Sequence, residues 1–518
     1  MLQADSPMES LNNDLLENRI LLYLDGIDIY KLSCTNKTLQ ARLWQFHQLV
    51  KEFQIHPTNI WPTLNLISAQ EHTTISSKDL KNSASFGEEY ISRFLELELQ
   101  KWKFPAIKIS NVTYAAVSNV IPKTEHLELV YLDSVDTNHF LKKPVNKIAN
   151  YKVKLGYKDL ENILQIAKEN ENLKELEMTT EEMNNKMILF KTNLADSCLT
   201  KLSLRACSID DDMMLILYEG LRNSKVTFLD LSHNSIADEG TIALASILEH
   251  SSLETLLLTD NALRKDGIDA LADAVPKSKL KYLDIQDNSF FRNDLSAFFM
   301  ILSSTNLEEF HYKNSISLEE QQAFVIGLAN SKLKKVTMGL ANEVLNQFFK
   351  ACPLSPLTDF TFASDIGNFG CKQIADNIEI ITLQRISLFN SKITDFGIEL
   401  LFAKLPLNKS IQELDISYNP INNFGVHLIS KFLPQTNLKS LIMDACSADG
   451  GFVKLAASIQ KSQLIKFKMR NAELGREGVQ AFENLLTRTK LRWVDVSWGP
   501  RHVQKEIASK FPQIKIVE

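Results

Sequence analysis

The sequence is poor in paired cysteines, long apolar runs and surplus positive charge, and each shortage removes a class of function. Its six cysteines (Cys34, Cys198, Cys207, Cys352, Cys371, Cys446) are scattered over 518 residues without a Cys-x-x-Cys pair. That argues against a disulfide framework and for reduced thiols in a cytoplasmic setting. No run of about 18 apolar residues occurs, and the first residues lack the basic-then-apolar order of a secretion signal, so neither a membrane span nor export is expected. A net charge of -6 leaves no basic footprint for phosphates, which argues against nucleic-acid and membrane binding.

Catalytic signatures are missing too. Gly-x-x-x-x-Gly-Lys-Ser/Thr, Gly-x-Gly-x-x-Gly, Gly-x-Ser-x-Gly and His-Glu-x-x-His do not occur, so phosphate-loop, dinucleotide, hydrolase and zincin chemistry have no anchor. The ten histidines lie apart from cysteines at ligand spacing, and His233 and His311 read as exposed strand residues. No enzyme activity, cofactor or metal is expected.

What is present is a repeat. The pattern L-x-x-L-x-L opens at Leu173, Leu199, Val226, Leu253, Leu280, Leu307, Leu333, Leu357, Leu383, Ile411, Leu438, Leu464 and Leu491, at spacings of 24 to 28 residues. The clearest copies, 226–248, 253–275 and 411–433, each change period midway. Leu229, Leu231 and Ile236 alternate with polar residues as in a half-buried strand; Ala243, Leu244 and Leu248 then recur at helical spacing. Asp238 or Asp266, with Gly240 or Gly267, supplies capping and turn chemistry at the helix start. Weaker copies lie upstream at 104–109, 124–129 and 148–153. One such unit cannot bury its apolar face alone, so neighbours must stack.

This strand-then-helix unit resembles the ribonuclease-inhibitor class of leucine-rich repeats. The resemblance implies an α/β solenoid, a horseshoe or arc with a parallel inner sheet and outer helices, that holds a protein partner on its concave face. Three residues past the last strand leucine stand Cys207, Asn234, Asn261, Asn288, Asn419 and Cys446, expected to hydrogen-bond the turns between coils. Asp230, Asp284, Asp415 and Asp495 recur at one strand position and would stack into an acidic stripe if the strands are in register. The candidate partner-binding residues on the concave face are Arg205, His233, Asp260, Asp287, Phe389, Tyr418, Asp444, Arg470 and Trp498. Aromatics and arginine among them suit an interface. An irregular stretch carries Phe310, Phe324, Phe348, Phe349, Phe360 and Phe362. These are either large core residues replacing leucines or the lining of a pocket.

Residues 11–44 (LNNDLLENRILLYLDGIDIYKLSCTNKTLQARLW) have helical periodicity broken at Gly26. The part from Leu24 to Lys37 resembles the F-box, the helical module that docks on the Skp adaptor of cullin-RING ubiquitin ligases. The opening departs from that pattern, with Asn12 where the family carries proline. The resemblance implies adaptor contacts by Leu15, Leu16, Ile20, Leu24, Ile29 and Leu32; the other reading is a helical cap on the first coil. The expected organisation is 1–50 F-box-like, 51–103 linker and capping helices, 104–498 repeats and 499–518 a C-terminal cap.

Two functions compete: substrate recruitment to a Skp-cullin-F-box ligase, and a stand-alone binding scaffold or inhibitor. Abundant lysine, asparagine and isoleucine suit a protist or an AT-rich bacterium; a bacterial protein of this design would be an effector acting in a host cytoplasm. Activation of the Ran GTPase is a third reading by fold analogy, with no residue that singles it out.

Overall fold

The computed structural model describes strands at 52–55, 106–110, 126–130 and 145–151 and then residues 157–516, apart from 181–182, 184, 292–293, 315, 447–449, 471–475, 496–509 and 512–513. Leu15, Leu16, Ile20, Leu24, Ile29, Leu32 and Trp498 lie outside the described residues. The chain forms two compact units, one of the described residues up to Ile236 with His250–Leu253, the other of Ala237–Glu249 with the described residues from Glu254 onward.

The first unit holds seven strands: β1 (Glu52–Ile55), β2 (Ala106–Ser110), β3 (His126–Val130), β4 (Val145–Tyr151), β5 (Glu175–Thr179), β6 (Lys201–Ser203) and β7 (Phe228–Asp230). Each pairs in parallel with the next. The weak upstream copies of the repeat are therefore strands, and β1 is a strand that the repeat pattern did not single out. The second unit continues with β8 (Thr255–Leu257), β9 (Tyr282–Asp284), β10 (Glu309–His311), β11 (Lys335–Met338), β12 (Asp359–Phe362) and β13 (Arg385–Ser387). It ends with β14 (Glu413–Asp415), β15 (Ser440–Ile442), β16 (Lys466–Lys468), β17 (Trp493–Asp495) and β18 (Lys515–Ile516), all parallel in chain order. From β4 to β17 a helix separates consecutive strands, as parallel pairing requires a crossover.

The opening residues of the thirteen repeats all lie in the core, none more than 3% exposed. Short strands give each coil two or three inward side chains, and stacking adds these into one continuous apolar layer within each unit. Where leucines lapse, phenylalanines fill the same layer. Phe310, Phe324, Phe348, Phe349, Phe360 and Phe362 are fully buried, with Phe348 and Phe360 centroids 4.5 Å apart and Phe360 and Phe362 4.7 Å apart. They are core residues packed ring against ring.

Two side-chain ladders join successive coils. The first is the asparagine ladder. Asn234 accepts from the backbone N–H groups of Cys207 and Ile209 at 3.0 Å and donates to the Leu204 and Leu231 carbonyls at 2.9 and 2.8 Å. Asn288 bridges Leu263, Leu258 and Ile285 in the same way. Cys207 fills the position with a thiol that donates to the Met178 carbonyl at 3.4 Å. Each residue thus satisfies backbone groups that a buried turn would leave unpaired.

The second ladder corrects the expected capping. Asp238 does not cap its own helix, Asp238–Leu248, whose N-cap is Ala237 and has no side-chain cap. Its carboxylate accepts from the N–H groups of Arg264 and Gly267, both at 2.9 Å, at the start of the next coil's helix. Asn368 does the same to Thr394 and Gly397 at 2.9 and 3.1 Å, and Asp395 to Asn422 at 2.8 Å. A Cβ at Gly267, Gly397 or Gly425 would stand 2.8, 2.5 or 2.4 Å from that oxygen, so only glycine lets the helix ends close up. Asp266 lies in the first turn of helix Lys265–Ala274, where its charge meets the positive end of the helix dipole.

Candidate functional site: the open strand face

Helices cover one face of the strands, and the other carries the outward side chains of successive coils at a strand spacing of about 4.8 Å. In the second unit one outward row reads, by register, Asp284, His311, Thr337, Thr361, Ser387, Asp415, Ile442, Lys468 and Asp495. The strands are in register, yet no acidic stripe results, because neutral and basic residues separate the carboxylates. The aspartates also turn inward to their own backbone: Asp230 accepts from Ser232 N–H at 2.9 Å, Asp284 from Gln286 at 3.0 Å and Asp415 from Ser417 at 2.9 Å. They shape the strand ends and offer little charge to a partner.

The candidate residues sort into two backbone positions. Arg205, Phe389, Asp444 and Arg470 follow the last strand leucine or its equivalent, and His233, Asp260, Asp287 and Tyr418 come one residue later. That later position is left-handed in coil after coil, with φ of 58° at His233, 54° at Asp260, 55° at Asp287 and 57° at Tyr418, and likewise at Ala206, Asn390 and Ala445. The strain has a use. A left-handed residue turns its N–H back toward the neighbouring coil, so Asp260 N–H reaches the Gln286 carbonyl at 2.9 Å and Tyr418 N–H the Asp444 carbonyl at 2.8 Å. The side chain is thrown outward at the strand end.

Tyr418 at its left-handed position and Phe389, one residue before the left-handed Asn390 of the preceding coil, meet on the surface. Their centroids lie 4.9 Å apart, and each is 46% exposed. Arg205 and His233 pair at 2.7 Å between ring and guanidinium nitrogens, while Asp260 and Asp287 are exposed carboxylates. Asp444, expected on the open face, is buried: its carboxylate holds Lys468 Nζ at 2.6 Å and accepts from Arg470 N–H at 2.8 Å. Arg470 itself is exposed and ion-paired to Asp495. The face near β13–β17 therefore presents an aromatic pair beside an arginine whose carboxylate partner is buried.

His311, read from sequence as exposed, is buried under Tyr282, whose ring lies 5.0 Å away. Its Nδ1 lies 2.9 Å from Thr337 Oγ1. Burial lowers its pKa from the ordinary value, Lys335 adds to the lowering, and the carboxylates of Asp284 and Glu309 oppose it. The expectation failed because an outward position on a parallel sheet can still be covered by a tyrosine from the adjacent strand.

Sequence reasoning missed a row on the helix side. Phe369, Phe396 and Phe424 are 55, 60 and 58% exposed and occupy the same place in three successive coils. The signal was the recurring triplet of Asp or Asn, Phe and Gly, at 368–370, 395–397 and 423–425. Among the described residues no cluster of three or more His, Cys, Asp or Glu is arranged to hold a metal, and no helix is long and apolar enough to cross a membrane.

Parallel strands alternating with helices, repeated every 24 to 28 residues with an asparagine ladder at the turns, define a leucine-rich-repeat α/β fold. The family described as Leucine Rich repeat matches at residues 222–245 and 407–430. The chain is similar to the mouse (Mus musculus) NACHT, LRR and PYD domains-containing protein 1a, with 28% identity over 111 residues, 20% of this chain and 9% of that protein. It is similar to the pig (Sus scrofa) ribonuclease inhibitor, with 25% identity over 150 residues, 27% of this chain and 33% of that protein. The chain thus matches at most a third of the length of these relatives. Among solved structures, an internalin from Listeria monocytogenes aligns over 74% of this chain and 88% of its own, at 14% identity and a TM-score of 0.29. The actin-binding site 2 of leiomodin-1 aligns over 29% and 88%, at 16% identity and a TM-score of 0.25.

Proposed function

We propose that this chain is a binding scaffold that seats a protein partner on the open strand face near β13–β17. The observation that carries this reading is the exposed Phe389–Tyr418 pair, with centroids 4.9 Å apart, in which Tyr418 sits at a left-handed backbone position and which stands near Arg470. Aromatic and arginine side chains dominate interface hot spots, and exposing two rings side by side costs hydration free energy that burial against a partner would recover. The similarity to a ribonuclease inhibitor, a protein named for the enzyme it blocks, supports a protein as the class of partner. The test is affinity capture with wild type and with Phe389→Ala plus Tyr418→Ala. Partners retained by wild type and lost from a variant of unchanged thermal stability support it; identical partner sets from both refute it.

The sequence of residues 11–44 supports a finer reading, in which Leu15, Leu16, Ile20, Leu24, Ile29 and Leu32 grip a Skp-family adaptor and the repeats deliver the bound protein to a cullin-RING ligase. In a bacterial source this would be an effector working in a host cytoplasm. Purified adaptor that fails to bind, or that binds equally after Leu16→Asp with Ile20→Asp, removes this reading and leaves the scaffold in place.

A further inference from the structure

The starts of the strands carry a second row of side chains. In the earlier coils of the second unit this row is charge-balanced between neighbours: Lys281 pairs with Glu254 at 3.0 Å and Lys334 with Glu308 at 2.7 Å. In the last four coils the balance is lost. The equivalent positions become Gln412, Lys439, Ile465 and Arg492, linked by hydrogen bonds from Lys439 N–H to Gln412, Ile465 to Lys439 and Arg492 to Ile465 at 2.7, 2.8 and 2.8 Å. Just before them stand Lys409, Asn437, Gln463 and Lys490, and the eight residues line one groove of about 500 Å³ that contains no carboxylate.

We infer that this groove binds an acidic peptide segment of a protein partner. Lys409, Lys439, Lys490 and Arg492 are all exposed. Among the described residues, Lys490 Nζ donates only to the neutral Gln463 at 3.0 Å and Lys409 Nζ only to the Pro406 carbonyl at 3.3 Å. Lys439 and Arg492 have no ion-pair partner among the described residues. Four cations without a counter-charge among the described residues fall within three strand spacings, about 14 Å, on a chain whose net charge is -6. A carboxylate near the middle of the row lies within about one Debye length, roughly 8 Å, of each cation, so their attractions add.

Charge and size favour a peptide over nucleic acid. An extended segment places alternate side chains about 7 Å apart, so five residues with carboxylates at the first, third and fifth span the cluster. The amide of Gln412 and the Nε2 of Gln463, whose Oε1 accepts from Lys490, can bond peptide groups between those carboxylates. Duplex binding normally recruits about six to ten phosphate contacts over a broader basic surface, which this groove does not offer.

The experiment is fluorescence anisotropy of the full chain with a labelled peptide Glu-Ser-Glu-Ser-Glu, and with Gln-Ser-Gln-Ser-Gln as its uncharged control. The acidic peptide should bind, and Lys439→Glu with Arg492→Glu should weaken it about tenfold or more. The milder Lys409→Gln with Lys490→Gln should weaken it in the same direction, and this pair decides the matter if the charge reversal unfolds the last coils. Lys281→Glu with Lys334→Glu, at the balanced coils, should leave binding unchanged. No binding, equal loss in the control variant, or displacement by pyrophosphate or duplex DNA at lower concentrations than unlabelled peptide would overturn the inference. Because the groove lies at the strand starts, loss here with Phe389 and Tyr418 capture intact, or the reverse, separates this site from the open-face site.

Discussion

The side-chain amide of Asn419 lies 2.8 Å from the carbonyl of Leu388, one coil earlier. The same amide donates to Ile416 at 2.9 Å, and its oxygen accepts from the N–H groups of Ser391 and Ile393 at 3.0 and 2.9 Å. Asn419→Ala leaves these buried backbone groups without partners, at about 1–3 kcal/mol for each unsatisfied group that water cannot reach. Hydrogen exchange at Ser391 and Ile393 should speed up markedly before the distant coils respond, since a repeat protein loses stability locally. Uniform exchange across all coils would contradict this.

Ala445 occupies the left-handed turn position, with φ of 56°. A β-branched side chain is poorly tolerated there, so Ala445→Val should destabilise by about 1–2 kcal/mol. Ala445→Gly should leave the unfolding free energy from urea titration within about 0.5 kcal/mol of wild type or raise it, because relief of strain offsets the entropy glycine adds to the unfolded chain. Equal destabilisation by both changes would show that side-chain packing, and not φ, governs the site.

Phenylalanines in this chain divide by location. Phe348 is fully buried against Phe324, Phe349, Phe360 and Phe362, and Phe348→Ala should cost about 3–5 kcal/mol by thermal or chemical unfolding. Phe389 is 46% exposed, and Phe389→Ala should shift stability by less than about 1 kcal/mol. A Phe389 variant that unfolds as readily as the Phe348 variant would assign the surface ring a structural role instead of a binding one.

His311 should make stability depend on pH. Its folded pKa is lowered by burial, below the 6.5 of an unfolded histidine, so between the two values the unfolded chain binds more protons. Its contribution is therefore complete above about pH 6.5 and is lost as the pH falls through that value toward the folded one. The groups facing it are Tyr282, Asp284, Glu309, Lys335 and Thr337. Urea midpoints from pH 7.5 to 5.5 should fall more for wild type than for His311→Gln; parallel curves would exclude His311 as the source.

The five thiols among the described residues should react in two groups. Burial pushes Cys352, Cys371 and Cys446 up to about 12 and Cys207 up to about 11, so these four should label only on unfolding. Cys198 is less buried and should label in the native protein. Fast labelling of Cys371 in the native state would mean that its coil opens.

The fold was legible from Leu229, Leu231 and Asn234 and their counterparts, because a repeat writes the same local chemistry many times over and each copy checks the others. The asparagine ladder was legible for the same reason. The inter-coil role of Asp238 was not. Sequence shows an acid near a helix start, but whether it caps its own helix or the next depends on how closely the coils stack, and the stacking in turn depends on Gly267. Asp444 and His311 were misplaced because alternation tells which face a residue points to and not what the adjacent strand lays over it.

The sequence by itself determined the periodicity, the parallel strand-helix order and the inward residues, since these follow from local propensity and the need to bury one apolar face per unit. Only the tertiary structure decided which outward residues remain available. Stacking brings together residues some 24 to 28 positions apart, and their mutual hydrogen bonds and ion pairs occupy Asp230 and Asp444 while leaving Phe389, Tyr418, Lys439 and Arg492 open. Availability is a property of neighbouring coils, so no single repeat encodes it.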